Sequence, residues 1–211
     1  MITDTLDKLM PQMQVGAIIT FQGVGEIANI INQDTGQKES HIGQVTYVGN
    51  QWCFAESSVG EPPDIIDGKI HKGISITPLR ERIGYEQGKA WLHFPAWPLY
   101  QSEIDSIAGF WHDNDGIAYD FGEILGLGLW YPLNKWFPWL HIAPPADVYG
   151  YICSLAVIAA CKNTRLLQGS TRFQSPGDVA KWQTWQEEIP LMEEWHVQKS
   201  YTLGGRDDRC Y

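Results

Sequence analysis

One cysteine, one histidine and one glutamate carry the chemistry this sequence could support. Cys153 lies within Tyr149-Gly150-Tyr151-Ile152-Cys153-Ser154-Leu155-Ala156-Val157-Ile158-Ala159-Ala160-Cys161, an apolar run that reads as a buried helix with the cysteine in its first turn. A thiol there meets the positive end of the helix dipole and free backbone N–H groups, which favour the thiolate. The bland reading is a small apolar side chain packed in a core. To be a nucleophile, Cys153 needs an imidazole that holds and returns the proton, and a group that orients that imidazole.

His41 and Glu56 are the candidates. The segments His41–Val48 and Gln51–Ser58 are strand-like runs separated by Gly49-Asn50, which is the signature of a hairpin with a two-residue turn. If Val48 pairs with Gln51, cross-strand partners sum to 99, so Gly43 faces Glu56 and His41 faces Ser58. Paired and alternate residues share a face. His41 and Glu56 then project from one face as diagonal neighbours, and Gly43 leaves space between them. Cys53 falls on the opposite face and drops out as a partner for His41. A slip of one residue would reverse both conclusions. The structural alternatives are a histidine capping a strand edge and a solvated glutamate guarding one.

These residues must be positioned by one folded unit. At 211 residues, with 44% apolar and 19% charged content, the chain is expected to form a single domain, 1–211, with a core over about 15–185. A net charge of −10 argues against nucleic-acid backbones and anionic membrane surfaces. No apolar run is long enough to span a bilayer. The start, Met1 to Gln14, lacks a basic segment followed by an apolar one, so a cytoplasmic protein is expected, with release by lysis or phage delivery also compatible. The cysteines show no CxxC pair and the histidines no HxxxH spacing, so neither a metal nor another cofactor is expected.

In chain order, the sequence predicts an amphipathic lead-in ended by Pro11, a strand at Ala17–Phe21 and a helix over Glu26–Asn32. After the hairpin come a strand at Gly73–Leu79 with a helical turn to Ile83, and a strand at Lys89–Phe94. A helix over Gln101–Trp111 follows, with Ser102 as its N-cap. Tyr131 to Pro145 is a Trp- and Pro-rich insertion, Ser175 opens a helix with Pro in its first turn, and the residues from Glu187 onward read as a tail.

Set side by side, these segments resemble the circularly permuted papain-fold cysteine hydrolases of the NlpC type, the YiiX-like kind. Val15-Gly16-Ala17-Ile18-Ile19-Thr20-Phe21 followed by Ser40-His41-Ile42-Gly43-Gln44-Val45 is similar to the family's opening, in which the histidine is catalytic. Glu56-Ser57 with Ile76-Thr77-Pro78-Leu79 resembles its acidic segment. Tyr119-Asp120-Phe121-Gly122, Cys153-Ser154 and Ser175-Pro176-Gly177-Asp178 resemble its later motifs, in the same order. Ala17 stands where the family usually has Asp, and Leu155 where Glu often follows the Cys-Ser pair.

The resemblance implies an α+β, permuted papain-like fold, its antiparallel sheet packed on a late helix that bears the nucleophile. It implies a cysteine amidase or peptidase with Cys153 as nucleophile, His41 as base and acid, Glu56 as orienter and Tyr119 beside the substrate. The substrate would be a cell-wall peptide or an acylated amine, cleaved through an acyl-thioester. The alternatives are a non-catalytic protein on the same fold that binds a peptide or acyl chain, and a purely structural protein.

Overall fold

The computed structural model describes residues 2–23, 26–58, 60, 62–86, 88–118, 153–168 and 174–192. They form a six-stranded antiparallel sheet with helices on both faces, a mixed α+β architecture. In chain order the elements are α1 (Ile2–Leu9), a 3-10 turn (Met10–Gln12), β1 (Ile18–Gln22), α2 (Glu26–Thr35), β2 (His41–Val48) and β3 (Gln51–Ser58). There follow β4 (Gly73–Pro78), α3 (Leu79–Tyr85), β5 (Lys89–His93), α4 (Gln101–Asp113), α5 (Cys153–Ala160), α6 (Pro176–Ala180) and β6 (Ile189–Met192). The strand order is β4-β3-β2-β1-β5-β6.

The β2–β3 hairpin has the register expected from its turn. Val48 pairs with Gln51 and Gly43 with Glu56, and Gly49 takes a positive φ of 59° in the turn. The expected space between His41 and Glu56 is, however, not empty. A Cβ on Gly43 would stand 2.3 Å from the Phe54 ring and 2.6 Å from the Ala55 carbonyl oxygen. Gly43 therefore lets the Phe54 ring come up against the strand.

Side-chain alternation divides the core in two. Ile18, Ile42, Cys53, Ala55, Ile74 and Ile76 face one side and pack with Trp111 of α4, with α5 and with Val179 of α6. Ile19, Phe21, Val45, Phe54 and Leu92 face the other and pack with Leu6 of α1 and with Leu79 and Ile83 of α3. Helix α5 is buried along nearly its whole length, as a helix apolar at all but one position must be. Gln44 ties the sheet to α4 and to the residue after α5: its Oε1 accepts from the Trp111 indole at 3.0 Å, while its Nε2 lies 3.5 Å from the Cys161 sulfur.

Three expectations change. The N-cap of α4 is Tyr100 and not Ser102, with Glu103 reaching back to accept from the Tyr100 N–H at 2.8 Å. Helix α2 runs on to Thr35. The stretch from Glu187 is not only a tail, because Ile189–Met192 forms the edge strand β6 beside β5, with a register shift at Ala90/Trp91. Pro190 hides this strand in the sequence, since proline is tolerated only where a strand has a free edge. The insertion at 131–145 lies outside the described residues.

Candidate active site

The site lies at one end of the β1–β2 pair. His41 is the first residue of β2 and pairs with Phe21, whose ring centroid is 5.8 Å from its own. Cys153 is the first described residue of α5, buried with 4% exposure, and lies close enough to the His41 ring to bias its protonation. On the other side, His41 Nε2 is hydrogen-bonded to Glu56 Oε2. With Nε2 committed to the carboxylate, Nδ1 is the nitrogen left for the sulfur.

The three residues therefore form one continuous row, Cys153 to His41 to Glu56. His41 and Glu56 share one face of the sheet, as the hairpin register predicts, while Cys153 comes from the other. Helix α5 packs on the Ile42 and Cys53 side, whereas Glu56 stands on the Phe54 side. They meet because His41 begins its strand and the thiol begins its helix, so contact is made around the end of the sheet.

The electrostatics follow from this row. Burial by itself disfavours the His41 imidazolium, but the negative charge and hydrogen bond offered by Cys153, and then by Glu56, outweigh it and raise the pKa to about 10. Burial would likewise push the Glu56 carboxyl up. The charge of Arg82 and the hydrogen bond from His41 instead bring it down to about 2. Such an arrangement favours an imidazolium at His41 backed by a carboxylate at Glu56. An α-helix leaves its first N–H groups without partners inside the helix, the kind of donor an oxygen beside the sulfur would need.

Arg82 was not legible as part of this site. It reaches from α3 with Nε on Glu56 Oε1 and Nη2 3.1 Å from Glu56 Oε2. One signal was present: Leu79, Arg82 and Ile83 form a single buried stripe, and an arginine in the apolar stripe of a helix needs a buried partner.

The other cysteines are placed as bystanders. Cys53 is wholly buried in mid-strand on the α5 side, and burial pushes its thiol up to about 11. Burial pushes Cys161 up to about 12. Leu155 stands roughly 200° around the helix from Cys153 and is half-buried, so it does not crowd the thiol. Tyr119 lies outside the described residues.

A second titratable cluster went unforeseen. Asp64, Asp67 and His71 bring one donor atom each within 4.8 Å of one another. Asp64 accepts from the Ile66 N–H at 2.6 Å and from the Ile76 N–H. Asp67 accepts from the Lys69 N–H at 2.8 Å, the Lys69 ammonium at 3.0 Å and His71 Nε2 at 3.0 Å.

No protein-family model matches the chain, and no curated protein is similar to it in sequence. Among solved structures it is similar to the crystal structure of the metalloprotein YiiX from Escherichia coli O157:H7, with a TM-score of 0.61 and 16% identity. The chain shares the YiiX fold. The alignment covers 88% of this chain and 99% of YiiX, so the likeness extends over the whole of that protein. No helix among the described residues is long and apolar enough to cross a membrane.

Proposed function

We propose that the chain is a cysteine-dependent hydrolase of amide bonds on a permuted papain-like fold of the NlpC type. The observation that carries this reading is the position of the His41 ring between the Cys153 thiol and the Glu56 carboxylate.

In this reaction the Cys153 thiolate attacks the carbonyl carbon, and the first N–H groups of α5 stabilise the oxyanion; each such donor is worth ~2.7–4 kcal/mol in the transition state. The His41 imidazolium then gives its proton to the leaving amine as the C–N bond breaks, which leaves an acyl-thioester on Cys153. Neutral His41 next takes a proton from water, the resulting hydroxide attacks the thioester, and the thiolate leaves as the acid is released. Glu56 holds the ring in place throughout. The substrate class is a peptide or an acylated amine.

YiiX is a metalloprotein, and two groups of this chain bear on whether it takes a metal. Cys153 and His41 offer a sulfur and a ring nitrogen, but no third donor joins them among the described residues, whereas protein zinc sites use three or four. In the Asp64–Asp67–His71 cluster the carboxylate oxygens accept hydrogen bonds within the loop, and Asp67 also pairs with Lys69. No step here is routed through a metal.

Intact-protein mass spectrometry after mixing with a panel of activated acyl amides and esters tests the proposal. An acyl adduct should accumulate on Cys153, be released by water and be absent in Cys153→Ala. Adducts of equal yield in Cys153→Ala would refute it.

A further inference from the structure

Glu56 is a carboxylate with 1% exposure in the middle of a sheet, opposite Gly43 on one side and Ser75 on the other. Among the described residues its charged or titratable neighbours are His41 on β2 and Arg82 on α3, with Glu86 beyond Arg82 and Cys153 beyond His41. Arg82 binds both oxygens of Glu56 and is itself fixed on every side. Its Nη1 is 3.2 Å from Glu86 Oε2, and its guanidinium lies over the Phe21 ring at 4.6 Å and 5.9 Å from that of Phe54. Glu86 offsets part of the Arg82 charge, so Glu56 keeps negative charge to offer to His41.

Without a cation beside it, a carboxylate this deeply buried takes up a proton. A protonated Glu56 would donate its O–H to Nε2 where the carboxylate accepts from it. The ring proton would then sit on Nδ1, facing the sulfur, and the ring could no longer receive the thiol proton. The direction of proton flow between Cys153 and His41 is thus decided on the far side of Glu56.

We propose that Arg82 is a positioning residue: by gripping both oxygens of Glu56 it keeps that carboxylate an acceptor, and so keeps His41 Nδ1 ready for the Cys153 proton. This rests on the hydrolase reading for its purpose, but its test needs no turnover.

The test is the pH profile of iodoacetamide alkylation, resolved by peptide mass spectrometry, for wild type, Arg82→Gln and Arg82→Lys. Buried Cys53 and Cys161 report loss of the fold in the same digest. In Arg82→Gln the acid limb of Cys153 alkylation should move up by about one pH unit, so that labelling at pH 5 is about tenfold slower. Arg82→Lys, which keeps the charge but not the two-pronged grip, should fall between the two. A wild-type acid limb in either variant with Cys53 and Cys161 still shielded would overturn the proposal. So would labelling of Cys53 and Cys161 in both variants, which would assign Arg82 to the fold alone. A wild type that alkylates as described but forms no acyl adduct removes the hydrolase reading and leaves the role of Arg82 standing.

Discussion

Gly43 and Glu56 are direct partners across the β2–β3 ladder, and the missing side chain of Gly43 is what lets Phe54 lie beneath Arg82. The glutamate of the site and the aromatic floor under its arginine thus depend on one small residue.

Gly43→Ala should therefore be costly at an otherwise regular strand position. The new Cβ would strike Phe54, which packs edge-on to Phe21 at 5.6 Å and cannot move freely. A loss of about 1–3 kcal/mol is expected from overpacking, measured by denaturant unfolding. A change below about 0.5 kcal/mol would contradict the packing described.

The charged row also makes stability depend on pH in two windows. Glu56 falls from an ordinary 4.5 to about 2, so its contribution is complete above 4.5 and is lost as pH drops toward 2. His41 rises from 6.5 to about 10, so its contribution is complete below 6.5 and is lost as pH climbs toward 10. Glu56→Gln leaves Arg82 without its main buried partner and should cost about 3–5 kcal/mol near pH 6. That difference should shrink on acidification below 4.5. Thermal unfolding of both proteins across pH measures it, and a constant difference down to pH 2 would count against the ion pair.

How much of this was readable from residues alone differs from one element to the next. Gly49-Asn50 specifies a two-residue turn, and the turn sets the register, so the pairing of Gly43 with Glu56 followed from local chemistry. Nothing local says which end of the sheet helix α5 approaches. Its apolar faces are nearly equivalent, and the pairing of Cys153 with His41 was an expectation carried by the order of family-like segments. Arg82 was obscured because helical periodicity reports where a side chain points and not what it meets there. Strand β6 was obscured by Pro190.

Asp115 gives an independent electrostatic test away from the site. Burial, and then the neighbouring negative charge of Asp64, raise its carboxyl from 3.8 to about 6; His71 opposes this and Asp67 adds to it. Since the folded-state value is raised, the charged form destabilises the protein above pH 6, and the protonated form carries no penalty below 3.8. Asp115→Asn should stabilise by about 1 kcal/mol at pH 7.5, discounted for its partial exposure, and by nothing at pH 3.5. Urea melts at the two pH values decide this, and equal effects at both would contradict it.

The most direct test of the central claim is labelling by a thiol-directed amide or ester probe at neutral pH in wild type, Cys153→Ala and His41→Ala. Wild type should be modified at Cys153, and Cys153→Ala not at all. His41→Ala should be slower by about 10²–10⁴-fold, the usual contribution of a positioned acid–base group. Labelling of His41→Ala at the wild-type rate would show that the ring beside Cys153 does not act on the thiol, and would contradict the account.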